Sequence, residues 1–173
     1  MVDPSVSVSV HVAAPAPLVW TLVSDMELLP RFSDELQSAR WIDGASARVG
    51  AQFAGTNTHP LMGTWTTHSR IVECDEPRCL AWAVGNPEKP AATWRFDLDA
   101  VGAETDLRYT ARIGPGRSGV SMMVAREPHR RDDIIASRLR QFERGMTATL
   151  AGIKALAESA PRSEELAGPA PLA

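Results

Sequence analysis

The segment DDIIASRLRQFERGMTATLAGIKALAE, residues 132–158, decides the architecture of this chain. Its large apolar side chains recur at steps of four or three, at Ile135, Leu139, Phe142, Met146, Leu150, Ile153 and Leu156. This spacing places them in one stripe along a single helix. A helix from Asp132 to Glu158 extends on the order of 40 Å at the standard rise per residue. We therefore expect a long C-terminal helix that crosses a whole small domain with its stripe packed inward.

The region that precedes this helix, residues 36–113, predicts strands. Short segments of alternating apolar residues are separated by turn residues such as Asp43-Gly44, His59-Pro60 and Val101-Gly102. The predicted strands are Ser38–Ile42, Ala51–Thr58, Thr64–Cys74, Cys79–Val84, Thr93–Asp99 and Asp106–Ile113. Their connections are too short for parallel crossovers, so the pattern favours an antiparallel meander.

The N-terminal residues add one strand and two short helices. Ser5–Val12 alternates serine or histidine with valine, which is typical of a half-buried strand. Pro15 or Pro17 then suits the first turn of a helix that continues through Leu18–Val23. A second short helical piece is predicted over Asp25–Phe32, with Asp25 as its N-cap. The prediction is an α+β fold: a curved antiparallel sheet of about seven strands wrapped around the long helix.

Length and composition fit one globular domain. The chain has 173 residues and 44% hydrophobic residues, enough to bury a core. We expect the domain to span residues 1–158. Residues 159–173 lack periodicity and contain three prolines, so they predict a disordered tail.

Charge and terminal sequence limit the partners. The net charge is −3, Lys89 and Lys154 are the only lysines, and no basic block is present, so nucleic acid is not expected as a partner. The N-terminus lacks the basic and apolar regions of a signal peptide, and no segment has the length needed for stable membrane insertion. We expect a soluble cytoplasmic protein, monomeric or homodimeric. Cys74 and Cys79 are expected as free thiols, although a bond across a hairpin is geometrically conceivable.

Common catalytic and cofactor motifs do not fit this sequence. Gly114–Gly119 has the letters of a dinucleotide-binding loop, but it follows the last predicted strand and opens no βαβ unit, so a flexible connection is expected. The four histidines are too scattered for metal-ligand spacing. Asp97 and Asp99 alternate with arginines in a pattern typical of a solvent-facing ion ladder. The sequence thus predicts neither a cofactor, a metal, nor an identified catalytic residue.

The inward face of the predicted sheet carries the candidate site. Its strand positions mix large aromatic side chains with polar ones. Taken singly, these residues are typical of an ordinary core. Buried polar groups are costly unless they are hydrogen-bonded, however, so several on one concave face indicate a wet or ligand-filled cavity. The predicted ligand-binding residues, including two from the long helix, are Phe53, Asn57, Trp65, Thr67, Ser69, Trp82, Trp94, Phe96, Tyr109, Phe142 and Met146.

Two glycines interrupt the long helix at equivalent positions. Gly145 and Gly152 are one heptad apart, and glycine is unfavourable inside a helix. Either they leave room beside the sheet or they permit close packing of another element. The sequence alone leaves both explanations open.

The order of elements resembles the SRPBCC superfamily of START and birch-pollen-allergen-like helix-grip proteins. Several segments look like its polyketide cyclase/dehydrase branch, and together they span residues 5–158. These segments are Ala14–Trp20, Val23–Phe32, Glu73–Trp82, Ala92–Leu98 and Met146–Leu156.

This resemblance implies a deep pocket between the sheet and the C-terminal helix. The first expectation is a binding protein for a small hydrophobic molecule such as a polyketide, a lipid or an aromatic metabolite. The alternative is an aromatase/cyclase-type enzyme in which Tyr109 or Asn57 orients a carbonyl group. In such enzymes an arginine near the fourth strand is implied, whereas the parity of Arg70 points it outward. A third expectation is a lipid or ubiquinone chaperone, or a co-chaperone-like interaction module, with apolar residues exposed around Val120–Val124.

Overall fold

Seven strands form one antiparallel sheet with the spatial order β1-β7-β6-β5-β4-β3-β2 in the computed structural model, which describes residues 4–161. The strands are β1 (Ser5–Val12), β2 (Leu36–Trp41), β3 (Gln52–His59), β4 (Gly63–Asp75), β5 (Cys79–Val84), β6 (Ala92–Val101) and β7 (Glu104–Ile113). The helices are α1 (Ala16–Val23), α2 (Gly119–Arg126) and α3 (Arg131–Ser159), with 3₁₀ turns at Leu29–Phe32 and Pro128–Arg130. The predicted helix-grip α+β fold is confirmed.

The meander runs from β2 to β7, and β1, the first strand of the chain, lies beside β7 at one edge of the sheet. From β2 to β7, each strand pairs with the strand that follows it in the chain. β1 completes the sheet by pairing with β7, from Ser5 with Arg112 to Val12 with Thr105. The β6–β7 turn has only two residues, and Gly102 adopts the positive φ of 62° that such a tight turn favours. Register shifts near Leu36–Ser38 and Ile71–Glu73 mark irregularities that bend β2 and β4.

Helix α3 packs mainly along β1 and more lightly on β7, and it also contacts α1 and the Leu29–Phe32 turn. Within residues 4–161 it has no extensive contact with β3, β4 or β5. Gly152 is the position of closest approach, because a Cβ atom there would lie 2.1 Å from Cδ1 of Phe32. Gly145 has no neighbouring atom within 4 Å of such a Cβ. Close packing therefore explains Gly152 and leaves Gly145 without a packing role.

The helical stripe divides into two unlike halves. Met146, Leu150 and Ile153 are buried, as predicted. Ile135, Leu139 and Phe142, in the first half, are only half-buried. The second half lies along β1, where Lys154 donates a hydrogen bond to the His11 carbonyl oxygen, whereas Phe142 in the first half contacts the ring of Trp94 on β6.

Three local predictions differ from the structure. The helical piece predicted over Asp25–Phe32 is shorter, since only the Leu29–Phe32 turn is helical. Residues 114–118, predicted as a flexible connection, are held by hydrogen bonds from Gly114 and Gly116 to the β5–β6 loop. Ser118 then caps α2, a helix that the sequence analysis did not predict, through a reciprocal pair of hydrogen bonds with Ser121. The predicted tail lies outside the described residues beyond position 161.

The outer face of β5 is buried by its neighbours. Cys79, Ala81 and Ala83 are buried although their parity points them away from the core. Ala81 pairs with Arg95 in the next strand, and the Arg95 guanidinium binds both Glu73 and Asp97. Small side chains thus lie beneath this ion network. Both cysteines are free thiols, and no helix among residues 4–161 is long and apolar enough to cross a membrane.

Candidate ligand-binding site

Aromatic rings line the concave face continuously from β2 to β7. Trp82 on β5 stands at the centre, with its ring centroid 6.0 Å from Phe53 and 6.5 Å from Trp94. Phe96 and Tyr109 stack at 4.1 Å. Alternating strand residues share one face, so the aromatic residues at inward positions of adjacent strands meet as one surface. Most of these rings are buried, so they form one continuous apolar layer that is part of the hydrophobic core.

Tyr109 adds a hydroxyl group to this aromatic layer. Tyr109 is only 6% exposed, and its hydroxyl has no hydrogen-bond partner within residues 4–161. Among the described residues, every side-chain nitrogen or oxygen that is fully buried has a hydrogen-bond partner. The hydroxyl oxygen is therefore not fully sealed from solvent. Burial raises the pKa of Tyr109 well above its ordinary value, which keeps the group protonated and able to donate a hydrogen bond.

Trp82 and Ser69 carry two further polar groups that lack an internal hydrogen-bond partner. Both residues are buried, and neither the Trp82 indole N–H nor the Ser69 hydroxyl has a partner in the described part of the chain. By the same reasoning, neither group is fully sealed from solvent. A polar ligand atom could satisfy them, because buried donors favour occupancy by an acceptor.

Asn57 and Thr67 are brought together and bind each other. The Asn57 side-chain amide donates to Thr67 Oγ1 at 3.2 Å and to the Gly55 carbonyl oxygen at 3.4 Å. Its donors are therefore already satisfied, which weakens the predicted role of Asn57 in orienting a carbonyl. Trp65 pairs with Asn57 in register, but it is half-buried and does not belong to the main hydrophobic core. It lies at the margin of the candidate site, near the start of β4.

Helix α3 closes the site with Phe142 and Met146. Phe142 is half-buried, and its ring centroid lies 4.8 Å from that of Trp94. Met146, one turn further on, is fully buried in the core. Phe142 thus belongs to the wall of the site, whereas Met146 belongs to its base.

An ion pair at the margin of the site was not predicted from the sequence. Arg138 on α3 forms two hydrogen bonds to Glu35, the residue before β2, with Nη1 donating to Oε2 at 2.7 Å and Nη2 donating to Oε1 at 2.5 Å. The Arg138 guanidinium carbon also lies 4.5 Å from the Phe142 ring centroid, a cation–π contact. The Arg138–Phe142 spacing of four residues on a helix was the available signal. Glu35 is 103 residues away from Arg138 in sequence, so no local pattern indicated that the two side chains pair.

Other charged clusters lie away from the concave face. Arg70 is exposed on the outer side of β4, as its parity predicted. A surface depression of about 410 Å³ beside His11 is lined by polar and charged groups that include Ser9, Asp99, Asp106 and Arg108. Such a lining does not suit an apolar ligand. No group of histidine, cysteine, aspartate and glutamate within residues 4–161 has an arrangement able to hold a metal ion.

A meander closed by β1, with a long helix against its aromatic concave face, defines a helix-grip domain. The family model described as "Polyketide cyclase / dehydrase and lipid transport" matches residues 3–158. The chain therefore belongs to this family, and the predicted resemblance is confirmed. A search of curated proteins gave no match.

Solved structures share the fold at low sequence identity. A polyketide-cyclase-like protein of Corynebacterium glutamicum has 24% identity and a TM-score of 0.66, over 91% of this chain and 93% of that chain. An aromatase/cyclase of Streptomyces sp. R1128 has 20% identity and a TM-score of 0.66, over 92% of this chain and 96% of that chain. The di-domain aromatase/cyclase of the steffimycin pathway has 15% identity and a TM-score of 0.70, over 90% of this chain and 50% of that chain. At these identities the similarity establishes the fold.

Proposed function

We propose that this protein binds a small hydrophobic molecule between the concave face of the sheet and α3. The observation that carries the proposal is the unpartnered hydroxyl of Tyr109, whose ring packs against the rings of Trp94 and Phe96. An apolar wall with a few directed polar groups is the usual composition of a small-molecule site. The expected ligand is a polyketide, lipid or aromatic metabolite with a hydrogen-bond acceptor.

Cyclase-type catalysis is the second candidate, and the same hydroxyl favours it. Tyr109 could donate to a ligand carbonyl and increase its electrophilicity. An aldol closure also needs a base, and the inward strand positions of residues 4–161 carry no carboxylate. His59 has inward parity but lies at the tip of the β3–β4 hairpin, where its Nδ1 accepts a hydrogen bond from the Leu61 amide. Binding without turnover is therefore the preferred function.

Binding can be tested with prodan, a neutral naphthalene that carries a ketone. Prodan titrated into the full chain is expected to quench tryptophan emission at one site, since Trp82 and Trp94 lie on the proposed wall. Tyr109→Phe should weaken the affinity by about tenfold if one buried hydrogen bond of about 1.4 kcal/mol is lost.

The matched control is Thr110→Val, because this neighbouring side chain lies on the other face and bonds Ser7. That variant should retain prodan affinity. Binding of prodan with unchanged tryptophan emission and with equal affinity for the Tyr109→Phe variant would refute the site. Native mass spectrometry of freshly purified protein would identify a co-purified ligand.

A further inference from the structure

Three of the most exposed large apolar side chains gather at one end of the sheet. Leu61, in the β3–β4 turn, is 86% exposed, and Met122 and Met123 on α2 are 44% and 42% exposed. The turn and the helix are in contact, because a Cβ atom on Gly119 would lie 2.6 Å from Sδ of Met62. We call Leu61, Met62, Met122 and Met123 the methionine patch.

Helix α2 turns its apolar and basic residues outward together. It has no buried residue, and Val120 and Val124 are half-buried on one side. At 100° per residue, Met122, Met123 and Arg126 share the opposite side. Arg117, just before the helix, reaches Met122 Sδ at 3.9 Å. The exposed side thus combines flexible apolar chains with two cations.

The chain around the methionine patch is cationic, although the protein has a net charge of −3. Residues 44–72 and 107–126 contain no aspartate or glutamate. Arg117 and Arg126 have no ion-pair partner within residues 4–161. At this end of the sheet the β5–β6 loop adds Glu88 and Lys89, whose charges offset each other, and Glu127, which follows Arg126, is paired with Arg130. Exposed apolar side chains between unpaired arginines complement a surface that is anionic outside and apolar beneath.

We propose that the methionine patch docks the protein on an anionic lipid bilayer. Leu61, Met122 and Met123 would enter the interface between headgroups and acyl chains, while Arg117 and Arg126 contact lipid phosphates. This arrangement follows the physics of interfacial helices, which combine apolar insertion with attraction to anionic lipids. The methionine patch shares no residue with the proposed ligand site, so the two proposals are tested by different variants.

The test is co-sedimentation of the full chain with vesicles of phosphatidylcholine alone or mixed with phosphatidylglycerol. Binding is expected only to the mixed vesicles, and it should weaken as salt screens the charges. Arg117→Gln combined with Arg126→Gln should lower the partition coefficient by about tenfold or more, since each basic residue near such a surface contributes about 1 kcal/mol. Met122→Ser combined with Met123→Ser should also reduce binding.

Val49→Ser combined with Val101→Ser is the matched control. Both valines are exposed, and they lie at the opposite end of the sheet. This variant should bind vesicles like the unmodified chain. All variants should keep the melting temperature and the prodan affinity measured without vesicles, which shows that they fold. Absence of vesicle binding, equal binding to neutral vesicles, or equal losses in the valine control would overturn the proposal.

Discussion

Arg138 and Glu35 connect the first half of α3 to the far edge of the sheet through two parallel hydrogen bonds. The Arg138 side chain is only 11% exposed, so the pair is shielded from water more than a surface ion pair. Because α3 packs on β1 and β7, this contact links the helix to the opposite edge of the sheet, where β2 lies. It holds the Phe142 end of the helix over the proposed site.

Loss of this ion pair should loosen the helix over the site. Glu35→Gln and Arg138→Gln should each destabilise the protein, and a double-mutant cycle should give a coupling energy of about 1–2 kcal/mol, between the values for exposed and buried pairs. Urea unfolding of the four proteins measures this energy. A coupling near zero would show that the two side chains do not depend on each other.

Phe142 and Met146 should respond differently to truncation. Met146→Ala should cost about 2–5 kcal/mol, as expected for a core side chain. Phe142→Ala should cost less than the roughly 3–5 kcal/mol of a buried phenylalanine, because open space already surrounds part of its ring, and it should weaken prodan binding. Urea unfolding and prodan titration of both variants check this. A Phe142→Ala variant with unchanged stability and affinity would contradict the packing of α3.

The two glycines of α3 provide a matched pair. Gly145→Ala should stabilise the protein by up to about 1 kcal/mol, because alanine is the better helix former and its Cβ meets nothing. Gly152→Ala should destabilise it by about 1–3 kcal/mol, because its Cβ would overlap the Phe32 ring. Thermal unfolding measures both.

Shortening Phe32 should then rescue the second glycine variant. Phe32→Leu combined with Gly152→Ala should lose less stability than the two single changes add up to. If the stability losses of the two single variants simply add up in the double variant, the destabilisation by Gly152→Ala does not come from overlap with Phe32.

His11 should make stability depend on pH near neutrality. Its ring nitrogens lie 2.7 Å from Asp106 Oδ1 and 2.6 Å from Glu104 Oε2. These hydrogen bonds, with Asp106 first and Glu104 second, raise the pKa of His11 above 6.5. A raised pKa in the folded state means that the stabilisation is complete below the unfolded pKa and is lost as the pH rises through the folded pKa.

Denaturant unfolding between pH 6 and pH 9, a range chosen around the ordinary histidine pKa of about 6.5, measures this effect. His11→Gln should remove the decline in stability, whereas His68→Gln, at an exposed position on β4, should preserve it. If stability still declines with rising pH in the His11→Gln variant, another titratable group causes the decline.

The fold was predictable because its signals are local and periodic. The four-and-three stripe of α3 and the valine alternation of β1 each fix one element and its buried face. Helix α2 escaped prediction because it buries no residue, and its capping box uses Ser121 in place of the usual glutamate or glutamine. The half-buried state of Phe142 also depends on which strands support α3, and no local pattern contains that information.

The candidate site was predictable as a surface but not as a set of contacts. Strand parity placed Trp82, Trp94 and Tyr109 on one face, and their rings do meet. The hydrogen bond between Asn57 and Thr67, which satisfies two predicted polar groups internally, depends on the side-chain conformations across β3 and β4. The Arg138–Glu35 pair depends on tertiary geometry alone.

The pairing of β1 with β7 has a consequence for synthesis on the ribosome. β1 emerges first, but its hydrogen-bonding partner, Glu104–Ile113, emerges only after the five intervening strands. Helix α3, which packs along β1, emerges later still, after β7. The nascent chain therefore carries an unpaired valine-rich strand through most of translation, when such edges are most prone to aggregate. The serines that alternate with those valines, at Ser5, Ser7 and Ser9, keep one face of the waiting strand polar.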